Sequence, residues 1–237
     1  MIQMTKVSKQ YDNGVWALRN INLRIEQGEF VYIVGPSGSG KSTLMKLLYR
    51  DEDVTKGKVS VGRFQVHAIK EREIPQLRRH VSVIFQDFKL LPKLTVFENV
   101  AYALEAIGSR SKVIKERVPQ VLDLVGLSHK ANQYPDELSG GEQQRVAIAR
   151  AIANDPAIII ADEPTGNLDP KTARDIFVLL EKIHQKGTTV IMGTHNNQLV
   201  DEFRHRVIRL DSGRLISDEL EGAVSYTHLR AHETKAN

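Results

Sequence analysis

Apolar and polar positions follow two periods along this chain. The run Phe30-Val31-Tyr32-Ile33-Val34 is uninterruptedly apolar and rich in β-branched and aromatic residues, the pattern of a strand buried on both faces. Leu44-Met45-Lys46-Leu47-Leu48 follows and reads as a helix. Upstream, residues 18–25 alternate polar Asn20, Asn22 and Arg24 with apolar or mixed partners, which predicts a strand. Tyr11-Asp12-Asn13-Gly14 before it reads as a hairpin turn with Asn-Gly at its tip, and Gln27-Gly28-Glu29 turns the chain into the apolar run. An antiparallel β layer leading into a parallel core is the predicted start. Residues 58–61 and 81–85 are further strand candidates.

The middle of the chain switches to the helical period. Thr95 followed by Glu98 is a capping box, opening a helix through Ile107 that stops at Gly108. Val113, Ile114, Val118, Val121, Leu122 and Val125 recur at helical spacing before Gly126. Residues 88–138 thus read as a helical insert in an α/β core. Strand and helix then alternate again. Residues 156–161 run apolar into Asp162-Glu163, Asp169-Pro170 starts a helix with Ile176, Leu179, Leu180 and Ile183 on one face, 188–192 form a strand ending at Thr194-His195, and 206–210 form a final strand before the turn 211–214.

Composition narrows this little. The 237 residues are 41% hydrophobic and 26% charged, as expected of one compact α/β domain. There is no cysteine, so disulfides and thiolate metal sites are excluded, which fits a cytosolic address. No apolar run approaches the ~20 residues that span a bilayer, and residues 1–6 carry no apolar signal core. A membrane role would need another chain to provide the span. The net charge of +4 comes without basic runs interleaved with aromatics, so no nucleic-acid partner is expected.

The chemistry concentrates in Gly35-Pro36-Ser37-Gly38-Ser39-Gly40-Lys41-Ser42-Thr43, which fits G-x-x-x-x-G-K-[ST] between a strand and a helix. Glycines let consecutive N–H groups face one concavity, and the helix N-terminus adds partial positive charge, so the loop cradles a polyphosphate. Lys41 reaches the β- and γ-phosphates and the Ser42 hydroxyl binds Mg²⁺. Ser139-Gly140-Gly141 ahead of the helical run 142–153 is a second anion-receptive helix start; a serine-capped helix is the plainer reading. Asp162 offers Mg²⁺ a hard oxygen at a strand end, and Glu163 can polarise a water in line with the γ-phosphate. Gln86 and His195 follow strands at the same predicted sheet edge, where ligands bind in open α/β folds. Tyr11 can stack on an adenine ring or simply pack beside its hairpin.

In this order the motifs resemble the nucleotide-binding subunit of ABC transporters across residues 1–222. They run from Walker A at 35–43 through Gln86, the signature Leu138-Ser139-Gly140-Gly141-Glu142-Gln143, Walker B ending Asp162-Glu163 and the loop Asn167-Leu168-Asp169 to His195. The resemblance implies an ABC ATPase: a P-loop NTPase core of α/β class with an antiparallel β subdomain and an inserted α-helical subdomain. It implies ATP and Mg²⁺ as cofactors, and a head-to-tail homodimer in which each ATP lies between Walker A of one chain and Ser139, Gly140 and Gly141 of the other. By position, Tyr11 stacks adenine. Lys41, Ser42 and the rest of 35–43 hold phosphates and Mg²⁺. Gln86 senses Mg²⁺ and the attacking water, Asp162 supports the metal, Glu163 is the general base, His195 contacts the γ-phosphate and Asp169 links the two sites. The segments 30–36, 48–50, 85–92 and 194–196 resemble the cell-division branch of the family, Asn196 standing where many relatives carry Asp. That implies a peripheral position on the cytoplasmic face of the membrane and a membrane subunit whose cytoplasmic helix docks near Gln86 and 88–102. It also implies regulation of cell-wall hydrolases, with other division proteins as further partners. The alternatives are the lipoprotein-release and macrolide-export branches, which share Leu90-Leu91-Pro92 and Asn167-Leu168-Asp169, and a soluble nucleotide-gated switch.

Residues 223–237 break the pattern. From Val224 to Thr234 neither period is present, and the segment is similar to the translation of a transposase sequencing adapter, with Lys235-Ala236-Asn237 as index sequence. It is expected to be non-native, the native C-terminus being missing, and its histidines are not read as a metal site. Without residues 225–237 the net charge is +3, from loss of Arg230, Lys235 and Glu233.

Overall fold

The computed structural model describes residues 1–220; the tail expected at 223–237 lies outside them. In chain order the elements are β1 (Ile2–Gln10), β2 (Trp16–Ile25), β3 (Phe30–Val34), α1 (Lys41–Leu48), β4 (Lys56–Val61), β5 (Phe64–Gln65), α2 (Ile74–His80), β6 (Val81–Phe85), α3 (Val96–Glu105), α4 (Ser111–Leu124), α5 (Gly140–Ile152), β7 (Ile158–Asp162), α6 (Pro170–His184), β8 (Thr189–Gly193), α7 (Asn197–Glu202), β9 (Arg206–Asp211) and β10 (Arg214–Glu219). The fold is the expected α/β class. A four-stranded antiparallel sheet, β2-β1-β4-β5, packs beside a six-stranded sheet ordered β10-β9-β3-β8-β7-β6. In the larger sheet β9, β3, β8, β7 and β6 are parallel, and β10 pairs antiparallel at the edge.

Strand period decides which core each side chain joins. In β3, Phe30, Tyr32 and Val34 pack into one apolar cluster with the helices α3, α4, α5 and α6; Val31 and Ile33 enter the other with α1 and the antiparallel sheet. β7 divides likewise, with Ile159 and Ala161 on the helical side and Ile158 and Ile160 opposite. Such strands must be apolar at every position, which is why 30–34 and 158–161 show no alternation. The helical stretch has no separate core: Val96, Val100, Leu104, Val118 and Leu122 share one cluster with β3, β7 and β8.

Local signals fixed most boundaries. Thr95 caps α3, its hydroxyl accepting the Glu98 N–H at 3.2 Å while Glu98 accepts the Thr95 N–H at 2.7 Å. The helix ends two residues short of Ile107, and Gly108 stops it in the left-handed region. Asp169 caps α6 through the N–H groups of Lys171 and Thr172, both at 3.1 Å. Pro170 follows at the first helical position, where its missing N–H costs nothing. Four short elements escape the periodic reading: β5, α2, α7 and the edge strand β10. They run to two to seven residues each and, unlike the equally short strand β3, carry no continuous apolar run to mark them.

Candidate nucleotide site

Register across the parallel sheet builds the site. Ile33 pairs with Gly193, Gly193 with Asp162 and Asp162 with Phe85, a single row at the carboxyl ends of four strands. The chain leaves that row into Gly35, Thr194-His195, Glu163 and Gln86. Residues distant in sequence therefore converge on one edge, the usual ligand edge of an open parallel sheet.

A cleft of about 720 Å³ lies there, lined by Tyr11, Val15, Trp16, Ala17, all of 35–43, Gln86, Glu163 and His195. Two glycines make the loop possible. Gly40 has φ +103°, and a Cβ there would stand 2.6 Å from Ala17 O; at Gly35 it would stand 2.1 Å from Leu210 O. Helix α1 then starts with no side-chain cap, so its first N–H groups stay open to the cleft. Lys41 is buried, and its ammonium donates to Gly35 O at 2.8 Å and Pro36 O at 3.2 Å, folding the side chain along the loop. The Tyr11 hydroxyl hydrogen-bonds Thr43 Oγ1 at 3.0 Å, tying the β1–β2 hairpin to α1.

Opposite the loop, His195 Nδ1 lies 2.8 Å from Glu163 Oε2. Glu163 is a non-glycine residue at φ +49°; its N–H donates to Gly193 O at 2.9 Å and its carbonyl accepts the Gly166 N–H at 3.1 Å. Strained backbone held by two hydrogen bonds recurs at functional positions. Gln86 Nε2 donates to Asn167 Oδ1 at 3.3 Å. Among the described residues four buried side-chain oxygens have no hydrogen-bond partner, and two of them, Asp162 Oδ1 and Ser39 Oγ, belong to the motifs gathered here. A buried carboxylate oxygen without a donor is costly unless a cation meets it, so the Asp162 strand end fits a hard divalent ion, with Ser42 and Gln86 as further oxygen donors.

The residues expected to act together divide into two groups, with Asp162 in the strand-end row beside the first. Tyr11, the phosphate loop, Gln86, Glu163 and His195 share the cleft. Ser139, Gly140, Gly141 and Asp169 do not line it. They form a second corner, where a Cβ on Gly140 would meet Leu168 at 3.5 Å and one on Gly141 would meet Thr172 at 2.4 Å. Sequence reasoning missed Val15, Trp16 and Ala17 as cleft wall and Asn167 as the partner of Gln86. Trp16 stands just past the predicted hairpin turn that presents Tyr11, and that proximity was a usable signal. Another cleft, about 650 Å³, opens at the amino ends of β7 and β8 near Arg117, Asp155 and Lys186, and holds none of the motif residues.

The model of the ABC transporter family matches residues 18–166, more than half the chain. The chain belongs to the ABC transporter family. It is an ABC-type ATPase. It is 56% identical over 226 residues to the cell division ATP-binding protein FtsE of Streptococcus pneumoniae serotype 2, covering 95% of this chain and 98% of that one. To FtsE of Bacillus subtilis strain 168 it is 58% identical over 222 residues, covering 94% and 97%. Among solved ABC cassettes, a dimeric post-hydrolysis state of MJ0796 bound to ADP and Pi superposes with a TM-score of 0.84 at 39% identity, covering 93% of this chain and 98% of that one.

Proposed function

We propose that this ABC ATPase is the motor of a cell-division complex of the FtsEX kind, held at the cytoplasmic face of the membrane by an FtsX-like subunit. The observation that carries this reading is likeness to FtsE at 56–58% identity over 94–95% of this chain, whose cleft brings Tyr11, the phosphate loop, Gln86, Glu163 and His195 together. Among the described residues no helix is long and apolar enough to cross a membrane, so the spans fall to the partner.

In this reading the open N–H groups of α1 and Lys41 bind the β- and γ-phosphates, and Tyr11 takes the adenine. Asp162, Ser42 and Gln86 hold Mg²⁺, which when bound neutralises phosphate charge. The Glu163 carboxylate accepts the proton of the attacking water as the water's oxygen bonds to the γ-phosphorus and the bond to ADP breaks. His195, whose Nδ1 lies 2.8 Å from Glu163 Oε2, orients that carboxylate and faces the γ-phosphate. Ser139, Gly140 and Gly141 face a nucleotide on a second copy, giving a head-to-tail homodimer with two ATP molecules. That they lie off their own cleft supports this, as does the dimeric state of the MJ0796 relative bound to ADP and Pi. Asp169 at the same corner links the two sites. Closure pulls on the membrane subunit and so regulates peptidoglycan hydrolysis, with other division proteins as further partners and no nucleic acid. Residues 1–222 are the ATPase domain, with 88–138 as its helical subdomain and 223–237 a non-native tail.

A groove of about 450 Å³ bordered by Tyr49, Arg78, Phe85, Leu91, Tyr102 and Arg150 supports docking of the membrane subunit's cytoplasmic helix beside Gln86. Two experiments test the proposal. Glu163→Gln should still bind ATP, lose turnover by about 10²–10⁴-fold and accumulate as a dimer in size-exclusion chromatography with ATP; wild-type turnover would remove Glu163 as the base. Co-purification with the FtsX-like subunit should succeed for the wild type and weaken when Lys89 and Lys93 are both changed to Glu. Unchanged capture refutes the groove, and capture of an exporter-type membrane subunit instead moves the chain to that branch.

A further inference from the structure

Helix α1 and the loop after it hold the strand end that carries Tyr11. At the near end, Thr43 in the first turn of α1 hydrogen-bonds the Tyr11 hydroxyl at 3.0 Å. At the far end, the loop after α1 folds back over β1. Thr55 N–H donates to Ser8 O at 3.1 Å, the Gln10 N–H donates to Thr55 Oγ1 at 2.9 Å, and the Thr55 hydroxyl donates to Gln10 O at 3.3 Å. From the same loop Glu52 pairs with the Lys9 ammonium at 2.8 Å, and that ammonium stands 5.0 Å from the centroid of the Tyr11 ring.

Lys9 is only 8% exposed, and lysine is rarely so buried without a partner. It is absent from the residues lining the cleft, whereas Tyr11, Val15 and Trp16 line it. The ammonium thus meets the Tyr11 ring without itself joining the cleft wall. A cation over an aromatic face is attracted to the ring quadrupole. Here the cation is itself fixed by a carboxylate, so the ring is braced at its face and at its hydroxyl before any ligand arrives. A braced ring loses less freedom on binding, which raises affinity without a new contact to the ligand.

We propose that Lys9, anchored by Glu52, is a positioning residue for recognition of the nucleotide base, presetting the ring of Tyr11 for a purine. The inference rests on the reading of Tyr11 as the base platform. It also makes the base and phosphate subsites one unit, since Thr43 in the first turn of α1 and Glu52 in the loop after it both reach the hairpin that carries Tyr11.

Calorimetric titration of the full-length protein with ATP, ADP and inorganic tripolyphosphate tests it, because tripolyphosphate has no base. Lys9→Met and Glu52→Gln should each weaken ATP and ADP about three- to tenfold and leave tripolyphosphate unchanged. Lys9→Arg, which keeps a cation that can pair with Glu52 and stack on the ring, should restore nucleotide affinity. Tyr11→Ala is run alongside. If it leaves ATP and ADP unaffected, the base-platform reading itself fails. If it weakens them while Lys9→Met and Glu52→Gln do not, the bracing role is overturned and the platform reading stands. Equal weakening of all three ligands by the Lys9 and Glu52 variants also overturns the proposal, since it marks a general loss of structure. Should Lys9→Met fail to fold, Glu52→Gln, at the more exposed partner, decides the question.

Discussion

Two helices in this molecule begin with glycine-rich segments, and they begin differently. Helix α1 enters from Gly40 at φ +103° with no side-chain cap, and its lysine lies along the loop. Helix α5 enters from Ser139, whose hydroxyl accepts the Glu142 N–H at 3.3 Å, while the Glu142 carboxylate accepts the Ser139 N–H and hydroxyl, both at 2.9 Å. The first start leaves its donors open and surrounds them with a cleft. The second satisfies itself and keeps a carboxylate beside its donors. Glycine content alone therefore does not make an anion site; what matters is whether a side chain already occupies the helix start. In the function proposed above, the open start binds triphosphate within its own chain, whereas the closed one meets a nucleotide brought by a second chain.

The contrast can be broken most strongly at Lys41. Lys41→Ala removes the only cation in the loop and should cut ATP affinity on the order of a hundredfold or more, since hydrogen bonds to charged groups contribute about 1.5–3 kcal/mol each; calorimetry reads this directly. Next comes a matched pair of glycines. Gly40→Ala puts a Cβ 2.6 Å from Ala17 O at a left-handed position and should weaken ATP about tenfold, given a left-handed cost of about 1–2 kcal/mol. Gly140→Ala meets only ordinary contacts at 3.5 and 3.9 Å, so ATP binding by the monomer should hold while ATP-driven dimerisation weakens, as light scattering would show. A smaller effect is expected at Ser139. Ser139→Ala loses the cap, about 1 kcal/mol, which in a domain of this size lowers the melting temperature by about 2–4 °C.

The smallest effect is in pH. The hydrogen bond from the Ser139 backbone holds the Glu142 carboxyl below the usual carboxylate range, helped by the Ser139 hydroxyl and Lys130 and opposed by slight burial. A depressed folded value means the cap contributes fully above the unfolded glutamate value of about 4.3. The contribution is lost as pH falls through the lower folded value. Glu142→Gln should therefore melt below the wild type at neutral pH, and the two curves should converge in acid. A constant gap across that range would show that the carboxylate charge plays no part.

Much of this was legible beforehand, for a local reason. The phosphate loop, the caps at Thr95, Ser139 and Asp169, and the apolar strands depend on residues within a few positions of each other, so their chemistry shows in the residue string. What escaped was short or distant. Strand β10 is six residues whose meaning comes from pairing with β9. Trp16 joins the cleft wall only because the hairpin folds back over α1. Asn167 meets Gln86 across 81 positions of chain.

The sequence by itself determined that there is a triphosphate cradle, because its glycines, lysine and flanking strand and helix are contiguous and each residue type has one physical use there. Only the tertiary structure decided which other residues face that cradle. The row Ile33, Gly193, Asp162 and Phe85 is set by pairing among four parallel strands far apart in the chain. A one-residue slip in any of those pairings would turn its side chains to the opposite face of the sheet and dissolve the site. The brace of Lys9 and Glu52 beside Tyr11 has the same origin, a contact between a strand and a returning loop that no local pattern encodes.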